Sequence, residues 1–299
     1  MNRTLASIAL PLLASCILTS AACGAITLTP DGADAYERDR TASIDQLVSD
    51  LDSPKTLVRC AAVSELARRR APEAADQIAR LLSDKEQLVR LEAAISLVNL
   101  ADQRGVPVLQ DVVREPAKLG VLHSLRAAVA LAECGYQDGM ALASAYRNGK
   151  NWVTRRGAID VLSRSKDDET AYAALQAGLQ DKEPFVRGAA VDRAGDRTTP
   201  RSLELLKPLL KDEDHVIRQM VATAMGRMGL FDAIPLLIDA LDTSDISQSI
   251  SVAQALRKIT GRVFPEGADE TAERSKPDWA AWWAANSSRF PPGGRSVSH

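Results

Sequence analysis

Few side chains in this 299-residue sequence could carry out catalysis, because it contains only four cysteines and three histidines. Motifs for nucleotide binding, zinc proteolysis and serine hydrolysis are all missing: G-x-x-x-x-G-K-S/T, G-x-G-x-x-G, H-E-x-x-H and G-x-S-x-G do not occur. His123 and His215 lie too far apart along the chain to be expected at one metal. The sequence therefore predicts a protein that is not an enzyme and has no metal site and no cofactor.

Arginine is the most regularly placed charged residue. Four arginines each follow a branched aliphatic residue, at Arg59, Arg90, Arg187 and Arg218. A row of free guanidinium groups could bind an anionic ligand, whereas guanidinium groups paired with carboxylates would only stabilise the fold. The formal net charge of −2 does not provide the basic face that nucleic-acid binding needs. No nucleic-acid partner is therefore predicted.

The elements that position these residues are predicted to be helices. Alanine and leucine, the two best helix formers, number 47 and 35, whereas aromatic residues make up 4% of the chain. Val89, Ala93, Leu97 and Leu100 follow one another at steps of three and four residues, which places them on one helix face. Composition and spacing together predict an all-α fold.

A unit of about 32 residues recurs along most of the chain. Each copy has an acidic turn, then Val-Arg or its equivalent, then small residues and a leucine, then a second apolar helix. The copies begin at Val58-Arg59, Val89-Arg90, His123-Ser124, Val153-Thr154, Val186-Arg187, Ile217-Arg218 and Ser249-Ile250. Successive steps are 31, 34, 30, 33, 31 and 32 residues. Because one helical hairpin cannot bury both its faces, about seven stacked hairpins are predicted to form an α-solenoid over residues 43–260.

These copies, of the form D-x-x-x-x-V-R-x-x-A-x-x-x-L followed by A-x-P-x-L, resemble the bacterial HEAT repeats named after phycobilisome lyases. The resemblance implies a scaffold that binds other proteins. It also implies that the repeated arginines pair with acidic groups of the turns between repeats. HEAT-type deoxyhypusine hydroxylases carry His-Glu pairs for a di-iron site. Neither His123 nor His215 is followed by glutamate, which excludes that activity.

Residues 1–22 have the order of a secretory signal, because Arg3 is followed by an apolar run and then by small residues before Cys23. The sequence Ser20-Ala21-Ala22-Cys23-Gly24 resembles a bacterial lipobox. The resemblance implies that Cys23 carries a diacylglycerol and that residues 23–42 tether the repeats to a membrane. The sequence therefore predicts an exported protein in the periplasm or at the outer membrane.

Two alternatives to a lipid on Cys23 stay open. Leu13-Ala14-Ser15-Cys16 agrees better with the lipobox consensus, but it leaves a very short apolar core before the cleavage point. Ordinary cleavage after Ala22 or Ala25 would instead release a soluble periplasmic protein.

The C-terminal part is predicted to close the stack. Within residues 261–290, a charged loop precedes a helix that carries Trp279, Trp282 and Trp283 on one face. A similar ending is found in many HEAT-repeat proteins of environmental bacteria. We expect the three tryptophans to pack on the last hairpin with Phe264 beneath them, and residues 291–299 to form a disordered tail.

The function predicted from the sequence is a protein-interaction scaffold, with a groove lined by the second helix of each repeat. We expect the partner to contact exposed polar residues of these helices, namely Gln77, Arg80, Gln110, Asp111, Glu204, Lys207 and Asp239. Two alternatives are an enzyme related to phycobilin lyases and a purely structural envelope component. Cys60 and Cys134, two repeats apart, are predicted to remain unpaired.

Overall fold

A computed structural model describes residues 41–241, 245–262 and 275–296. The predicted signal peptide, both candidate lipidation sites Cys16 and Cys23, and Phe264 lie outside the described residues. Among the helices described, none combines the length and the apolar character needed to span a bilayer.

The described residues form sixteen α-helices and no β-strand, which confirms the all-α prediction. Several of the helices are extended by a turn of 3-10 helix. The helices are α1 (Ile44–Asp50), α2 (Thr56–Arg68), α3 (Ala75–Arg80), α4 (Gln87–Asn99), α5 (Val106–Arg114), α6 (Pro116–Leu119), α7 (Val121–Glu133), α8 (Met140–Tyr146), α9 (Trp152–Leu162), α10 (Asp168–Leu179), α11 (Pro184–Arg197), α12 (Pro200–Leu206), α13 (His215–Met228), α14 (Ala233–Asp239), α15 (Ile246–Thr260) and α16 (Lys276–Asn286).

Two compact units make up this chain, one ending at residue 165 and the other starting at residue 166. In the first unit, the first helices of successive repeats pack side by side: α2 against α4, α4 against α7, and α7 against α9. Helix α1 covers the first hairpin and contributes Leu47 and Leu51 to the core beneath α2. The second helices of these repeats are α3, α5 and α8.

The second unit has the same construction. Its first helices α11, α13 and α15 pack in series, and α10, α12 and α14 are second helices. Buried alanines and glycines let the first helices approach closely. At Gly226 of α13, an added Cβ would stand 2.9 Å from the Cβ of Ala255 on α15. The small residues of the repeat therefore set the spacing between repeats.

Helix α16 closes the second unit by packing against α14. Trp279 is fully buried, and Trp282 and Trp283 are half-buried. The ring centroids of Trp279 and Trp282 are 5.6 Å apart, and Phe290 lies 5.7 Å from Trp282. The Trp-rich C-terminal capping helix predicted from the sequence is therefore present.

The tail from residue 291 was predicted to be disordered, and over residues 291–296 this is corrected. The Ser296 N–H donates to the Gly229 carbonyl at 2.9 Å, and the Phe231 N–H donates to the Gly294 carbonyl at 2.9 Å. Phe231 also stacks edge-on against Phe290, at 5.1 Å between centroids. The chain is held because the α13–α14 turn offers both unpaired backbone groups and an aromatic ring. Residues 297–299 lie outside the described part.

Candidate functional site

The repeated arginines are held inside the turns between repeats. Arg59 donates through Nε and Nη2 to the two carboxylate oxygens of Asp84, both at 2.9 Å. Arg187 donates to Asp212 at 2.7 Å, and the two side chains are 7% and 9% exposed. Arg218 pairs in the same way with Asp245. For these three arginines the predicted pairing with acidic turn residues is confirmed.

A second contact recurs with the same offset in each copy that carries an arginine at this position. Each arginine donates through Nη1 to the carbonyl oxygen of the residue six positions earlier. At the four arginines of the row that come after Arg59, the distance between these two atoms is 2.6–3.0 Å. In the first copy Arg59 donates to the Ser53 carbonyl at 2.8 Å. Arg90 donates to the carbonyls of Asp84 and Lys85, and this backbone contact takes the place of a carboxylate pair.

Arg155 is a fifth member of this row, and the sequence analysis missed it. It donates to the carbonyls of Gly149 and Lys150, both at 3.0 Å, with the offset seen at the other arginines. The fourth copy therefore begins at Thr154-Arg155, one residue later than predicted. The arginines lie four residues after the N-cap of their helices, and the fully buried Ser124 and Ser249 occupy that position in the third and seventh copies. The seventh copy therefore begins at Gln248-Ser249, one residue earlier than predicted, and both corrections make the steps more even.

The pKa shifts of these pairs are typical of ion pairs that stabilise a fold. Burial by itself raises the pKa of Asp84, but hydrogen bonds from the Arg59 side chain and the Glu86 N–H, with the charge of Arg59, hold that pKa below its ordinary value. The hydrogen bond to Asp212 raises the pKa of Arg187 despite its burial. The arginine row is thus occupied by the protein's own turns, so we do not regard it as an anion site.

The seven residues predicted to contact a partner lie on or beside the second helices, and most are engaged within the chain. Gln110 donates to Asp138 at 3.1 Å. In the other bonded cases the partners are charged: Arg80 lies 4.0 Å from Asp52, Asp111 lies 2.6 Å from Arg114, and Asp239 lies 2.8 Å from Lys276. Gln77 is half-buried, and Glu204 and Lys207 are exposed. Within the described chain, no hydrogen bond or ion pair joins any two of the seven.

A groove of about 320 Å³ lies instead on the first helices of the first unit. We call it the first-helix groove. It runs over three adjacent helices, α4, α7 and α9, and sequence analysis did not predict it. Its lining residues are Ile95, Asn99, Leu122, Leu125, Arg126, Val129, Ala130, Glu133, Val153, Arg156, Gly157 and Asp160.

The groove has an apolar floor and a charged rim. Ile95, Leu122, Val129 and Val153 are half-buried, although each is an aliphatic residue on a helix surface. On the rim, Arg126 donates to both carboxylate oxygens of Glu92, at 2.7 and 3.0 Å.

At the other end of the groove, one guanidinium group serves two carboxylates. Arg164, in the turn after α9, pairs with Asp160 of that helix and lies 2.8 Å from Glu133 on α7. Arg156 lines the groove and forms no ion pair with any described residue. The rim of the groove therefore carries one cation, Arg156, that no carboxylate of the described residues neutralises.

A sequence signal for this surface exists. With the register corrected as above, the residue that directly precedes the start of a copy is aliphatic or aromatic in six copies: Leu57, Leu88, Leu122, Val153, Phe185 and Val216. Leu122 and Val153 belong to the groove. In the second unit, Phe185 and Val216 are 54% and 49% exposed. At Leu122 and Val153, an apolar residue that helix packing leaves outside the core marks the groove as a surface that can bind something apolar.

The thiols and the histidine of the first unit have no catalytic surroundings. Burial raises the pKa of Cys60 to about 12, and burial also raises the pKa of Cys134. Both cysteines are free, as predicted. Burial and the nearby Arg126 lower the pKa of His123. In the described parts of the chain, no three His, Cys, Asp or Glu side chains are grouped so that they could hold a metal ion.

A family model for HEAT repeats matches residues 44–132, 139–222 and 178–257 of this chain. The matches cover more than half of the sequence. A search among curated proteins found no significant match.

Several solved structures resemble the chain. One is the complex of CpcE and CpcF of phycocyanin lyase from Nostoc, with 18% identity, a TM-score of 0.49, and coverage of 73% of this chain and 95% of the other. The protein YibA of Escherichia coli has 15% identity, a TM-score of 0.40, and coverage of 77% and 97%. Human deoxyhypusine hydroxylase in complex with glycerol has 17% identity, a TM-score of 0.30, and coverage of 78% and 100%.

Proposed function

Because this chain belongs to the HEAT-repeat family, we propose that it is a non-catalytic scaffold that binds another protein in the first-helix groove. The observation that carries the proposal is the apolar floor of the groove. Four half-buried aliphatic side chains, from three helices of successive repeats, line one continuous surface: Ile95, Leu122, Val129 and Val153. Contiguous exposed apolar surface rimmed by charges is typical of protein-binding sites.

The contacts of the second helices support choosing the groove over the surface predicted from sequence. On the second helices and in the turns that lead into them, polar side chains of successive repeats bond to one another, as Asp76 does to Arg104 at 2.9 Å and Gln103 does to Tyr136 at 2.9 Å. A partner would have to displace these contacts before it gained its own. The floor of the groove has no such internal bonds to lose, so binding there removes apolar surface from water directly.

Site-specific photo-crosslinking tests the proposal. A photo-reactive amino acid is introduced at Val129, on the groove floor, and in a separate variant at Leu57, an exposed apolar residue on the first helix of another repeat. We expect one protein of the cell envelope to be crosslinked from position 129 and not from position 57. That crosslink should disappear when Ile95→Lys is added. Equal crosslinking from both positions, or persistence with Ile95→Lys, would contradict the proposal.

We also propose that the scaffold is held in the bacterial envelope by a lipid on Cys23. The support is the order of the N-terminal residues, with small residues before the cysteine and Gly24 after it. Labelling cells with a palmitate analogue should mark the wild-type protein and Cys16→Ala but not Cys23→Ala. If only Cys16→Ala loses the label, Cys16 is the lipid site. If neither the wild-type protein nor any variant is labelled, the protein carries no lipid on either cysteine and the proposed anchor is rejected.

The size of the groove favours one other candidate function. A volume of about 320 Å³ lies at the lower end of the range for small-molecule sites, roughly 300–1,000 Å³. An enzyme that handles a chromophore, like the phycobilin lyases, would use such a site. Titration with a free phycobilin tests this alternative. A change in its absorption spectrum that Val129→Lys abolishes and Leu57→Lys does not would favour the enzyme over the scaffold.

A further inference from the structure

We propose that the partner carries an acidic segment next to the part that lies in the first-helix groove, and that this segment binds the turn of the fourth copy, residues 147–151. This inference rests on the proposed function, because it names the chemistry of the partner beside the groove. It is carried by three cations, Arg147, Lys150 and Arg156, whose side chains make no hydrogen bond and no ion pair with any described residue.

In other turns of the row, an acidic residue is used by the fold. Asp84 accepts from Arg59, the arginine of the preceding copy, at 2.9 Å. Asp212 accepts in the same way from Arg187 at 2.7 Å. Both acids stand six residues before the arginine of their own copy. Each acid therefore neutralises a guanidinium group of the copy before it.

The turn of the fourth copy lacks both members of this pair. The buried Ser124 takes the place of the arginine in the third copy, and Gly149 takes the place of the acid, six residues before the arginine of the fourth copy. From residue 139 to residue 159 the sequence contains no aspartate and no glutamate. Arg147 and Lys150 are exposed within this acid-free stretch, so their charges are available to a partner.

The backbone of this turn is held by other groups. Arg155 donates to the carbonyls of Gly149 and Lys150, both at 3.0 Å. The Asn151 side chain accepts from the N–H two residues later, at 2.9 Å, and so caps α9. None of these bonds uses the side chain of Arg147 or Lys150. The fold therefore does not need these two cations, and the turn presents them on a fixed backbone.

The turn leads directly into the groove. Val153 and Arg156 line the groove, and Asn151 caps the helix that carries them. Lys150 directly precedes this cap, so at 1.5 Å per helical residue its backbone lies about 10 Å from that of Arg156. A partner seated on the groove floor therefore needs only a few further residues to reach the turn.

An acidic polypeptide fits these cations better than an anionic bilayer does. Carboxylates pair with guanidinium and ammonium groups one by one, and such pairs strengthen association and reject partners of the wrong charge. Binding to anionic lipids typically uses clusters of about four to eight lysines and arginines, more than the three cations of this surface. Arg156 also lines a concave groove, which the flat surface of a bilayer cannot enter.

Selection from a peptide library tests the inference. A phage-displayed library of random linear peptides is selected on the purified protein, on the double variant Arg147→Glu with Lys150→Glu, and on Lys85→Glu. The last variant is the matched control, because Lys85 is exposed in the turn of the second copy, at the position that Lys150 holds in the fourth. Wild-type and Lys85→Glu pools should be enriched in apolar residues flanked by aspartate or glutamate, and the double-variant pool should lack these acids.

Affinities of one selected peptide then measure the contribution of the turn. Fluorescence anisotropy should show about tenfold weaker binding to Lys150→Glu and unchanged binding to Lys85→Glu. Because salt screens exposed charges, raising the salt from about 50 to about 200 mM should weaken binding to the wild type more than binding to Lys150→Glu. Replacing the acids of the peptide by lysine should restore its binding to the double variant. Circular dichroism checks that each variant is folded.

Val129→Lys separates the groove from the turn. We expect it to abolish binding of the selected peptide, because the apolar part of the peptide would lose the groove floor. A peptide whose affinity Val129→Lys leaves unchanged would bind outside the groove, and the inference would then be wrong.

Three further results would overturn the inference. The first is a wild-type pool without acidic residues, and the second is an equal loss of affinity in Lys85→Glu and Lys150→Glu. The third is adhesion to vesicles of phosphatidylglycerol that the double variant loses, with no acidic peptide selected, which would indicate that the turn faces a membrane. Crosslinking from position 129 reports on the groove independently. If that crosslink persists in any of these cases, the scaffold function stands and only the acidic segment is rejected.

Discussion

Arg187 and Asp212 illustrate what a single pair contributes to this fold. Both side chains are more than nine-tenths buried, and the guanidinium group also bonds to the carbonyls of Asp181 and Lys182. The arginine thereby ties its own turn to the next one along the chain. Removing one partner of a buried pair leaves the other charge without compensation, which costs far more than the intact pair is worth.

We therefore expect Arg187→Met to lower the free energy of unfolding by about 3 kcal/mol, since Asp212 would keep a buried charge that only the Asp214 N–H contacts. Urea denaturation followed by circular dichroism measures the change. Arg114→Met is the control, because Arg114 and its partner Asp111 are 67% and 69% exposed, and exposed pairs contribute less than about 1 kcal/mol. Equal losses for the two variants would show that burial does not decide the value of the pair.

Asp84 provides a pH-dependent prediction. Its pKa is lower in the folded protein than the value near 3.9 of an unfolded chain, because the bonds from Arg59 and the Glu86 N–H outweigh the effect of burial. The stabilisation is therefore fully present above that unfolded pKa and is lost as the pH falls through the folded pKa. The difference in unfolding free energy between the wild type and Asp84→Asn should be largest near neutral pH and should shrink below about pH 4.

Denaturation series between pH 7 and pH 3 check this prediction. Asp111→Asn serves as the control, because the Asp111 side chain is 69% exposed and its ion pair contributes little at any pH. A wild-type advantage over Asp84→Asn that stays constant, or grows, on acidification would contradict the assigned direction of the pKa.

At the scale of the helices, close approach between first helices is a property of particular small residues. In Gly226 the space for a Cβ is taken by backbone and Cβ atoms of Ala255 at 2.9 Å, and neither atom can move without moving the helix α15. In Gly188 the nearest atoms, at 3.2 and 3.3 Å, are the sulfur and terminal methyl of Met220, which is a flexible side chain.

The two glycines should consequently respond in opposite ways to the same substitution. Gly226→Ala is expected to lower the unfolding free energy by about 1–3 kcal/mol, since overpacking forces α13 and α15 apart. Gly188→Ala is expected to be neutral or stabilising by up to about 1 kcal/mol, because alanine favours the helix and Met220 can give way. Thermal unfolding of both variants measures the contrast. A loss at Gly188 as large as that at Gly226 would show that Met220 is held rigidly.

The helices also explain why the sequence predicted the fold better than the surface. The hairpin period follows from local rules, because turn acids, small residues and apolar stripes recur at fixed steps. The pairing of the arginines was implied by the resemblance to bacterial HEAT repeats. The register of the fourth copy was misread by one residue, since Val153 precedes Thr154 and imitates the usual anchor while Arg155 is the residue that bonds to the turn. The hydrogen bonds that define the register can be identified only in the structure, whereas the sequence shows only which residue types recur.

The groove could not be located from sequence for a related reason. Leu122 and Leu131 lie on the same helix and both are leucine, but Leu131 is fully buried in the core, whereas Leu122 lies half-buried on the groove floor. Which apolar face of a first helix remains uncovered depends on how closely its neighbours pack. The expected second-helix surface was inferred from exposed polar residues, and such residues bond equally well to the next repeat, as Gln110 does to Asp138.

At the scale of the whole molecule, the repeats make stability local. Each hairpin packs mainly on its neighbours, so the free energy of a repeat protein is close to a sum over repeats and their interfaces. The C-terminal cap is a sensitive point in such an array, because α16 protects one end of the second unit. Trp279 is its fully buried residue, and the Arg262 guanidinium group lies 4.8 Å from the ring centroid of Trp279.

Trp279→Ala should remove about 3–5 kcal/mol of packing from the cap, as expected for truncation of a buried tryptophan. In a repeat array that loss falls mostly on nearby elements, so amide hydrogen exchange should accelerate strongly in α14 and α15 and little in α2 and α4 of the first unit. Hydrogen exchange followed by mass spectrometry resolves the two regions. Trp283→Ala is the matched control, since Trp283 is only half-buried on the same helix and should affect exchange less. Uniform acceleration in all four helices would mean that the chain unfolds as one cooperative body, and the local view of its stability would then be wrong.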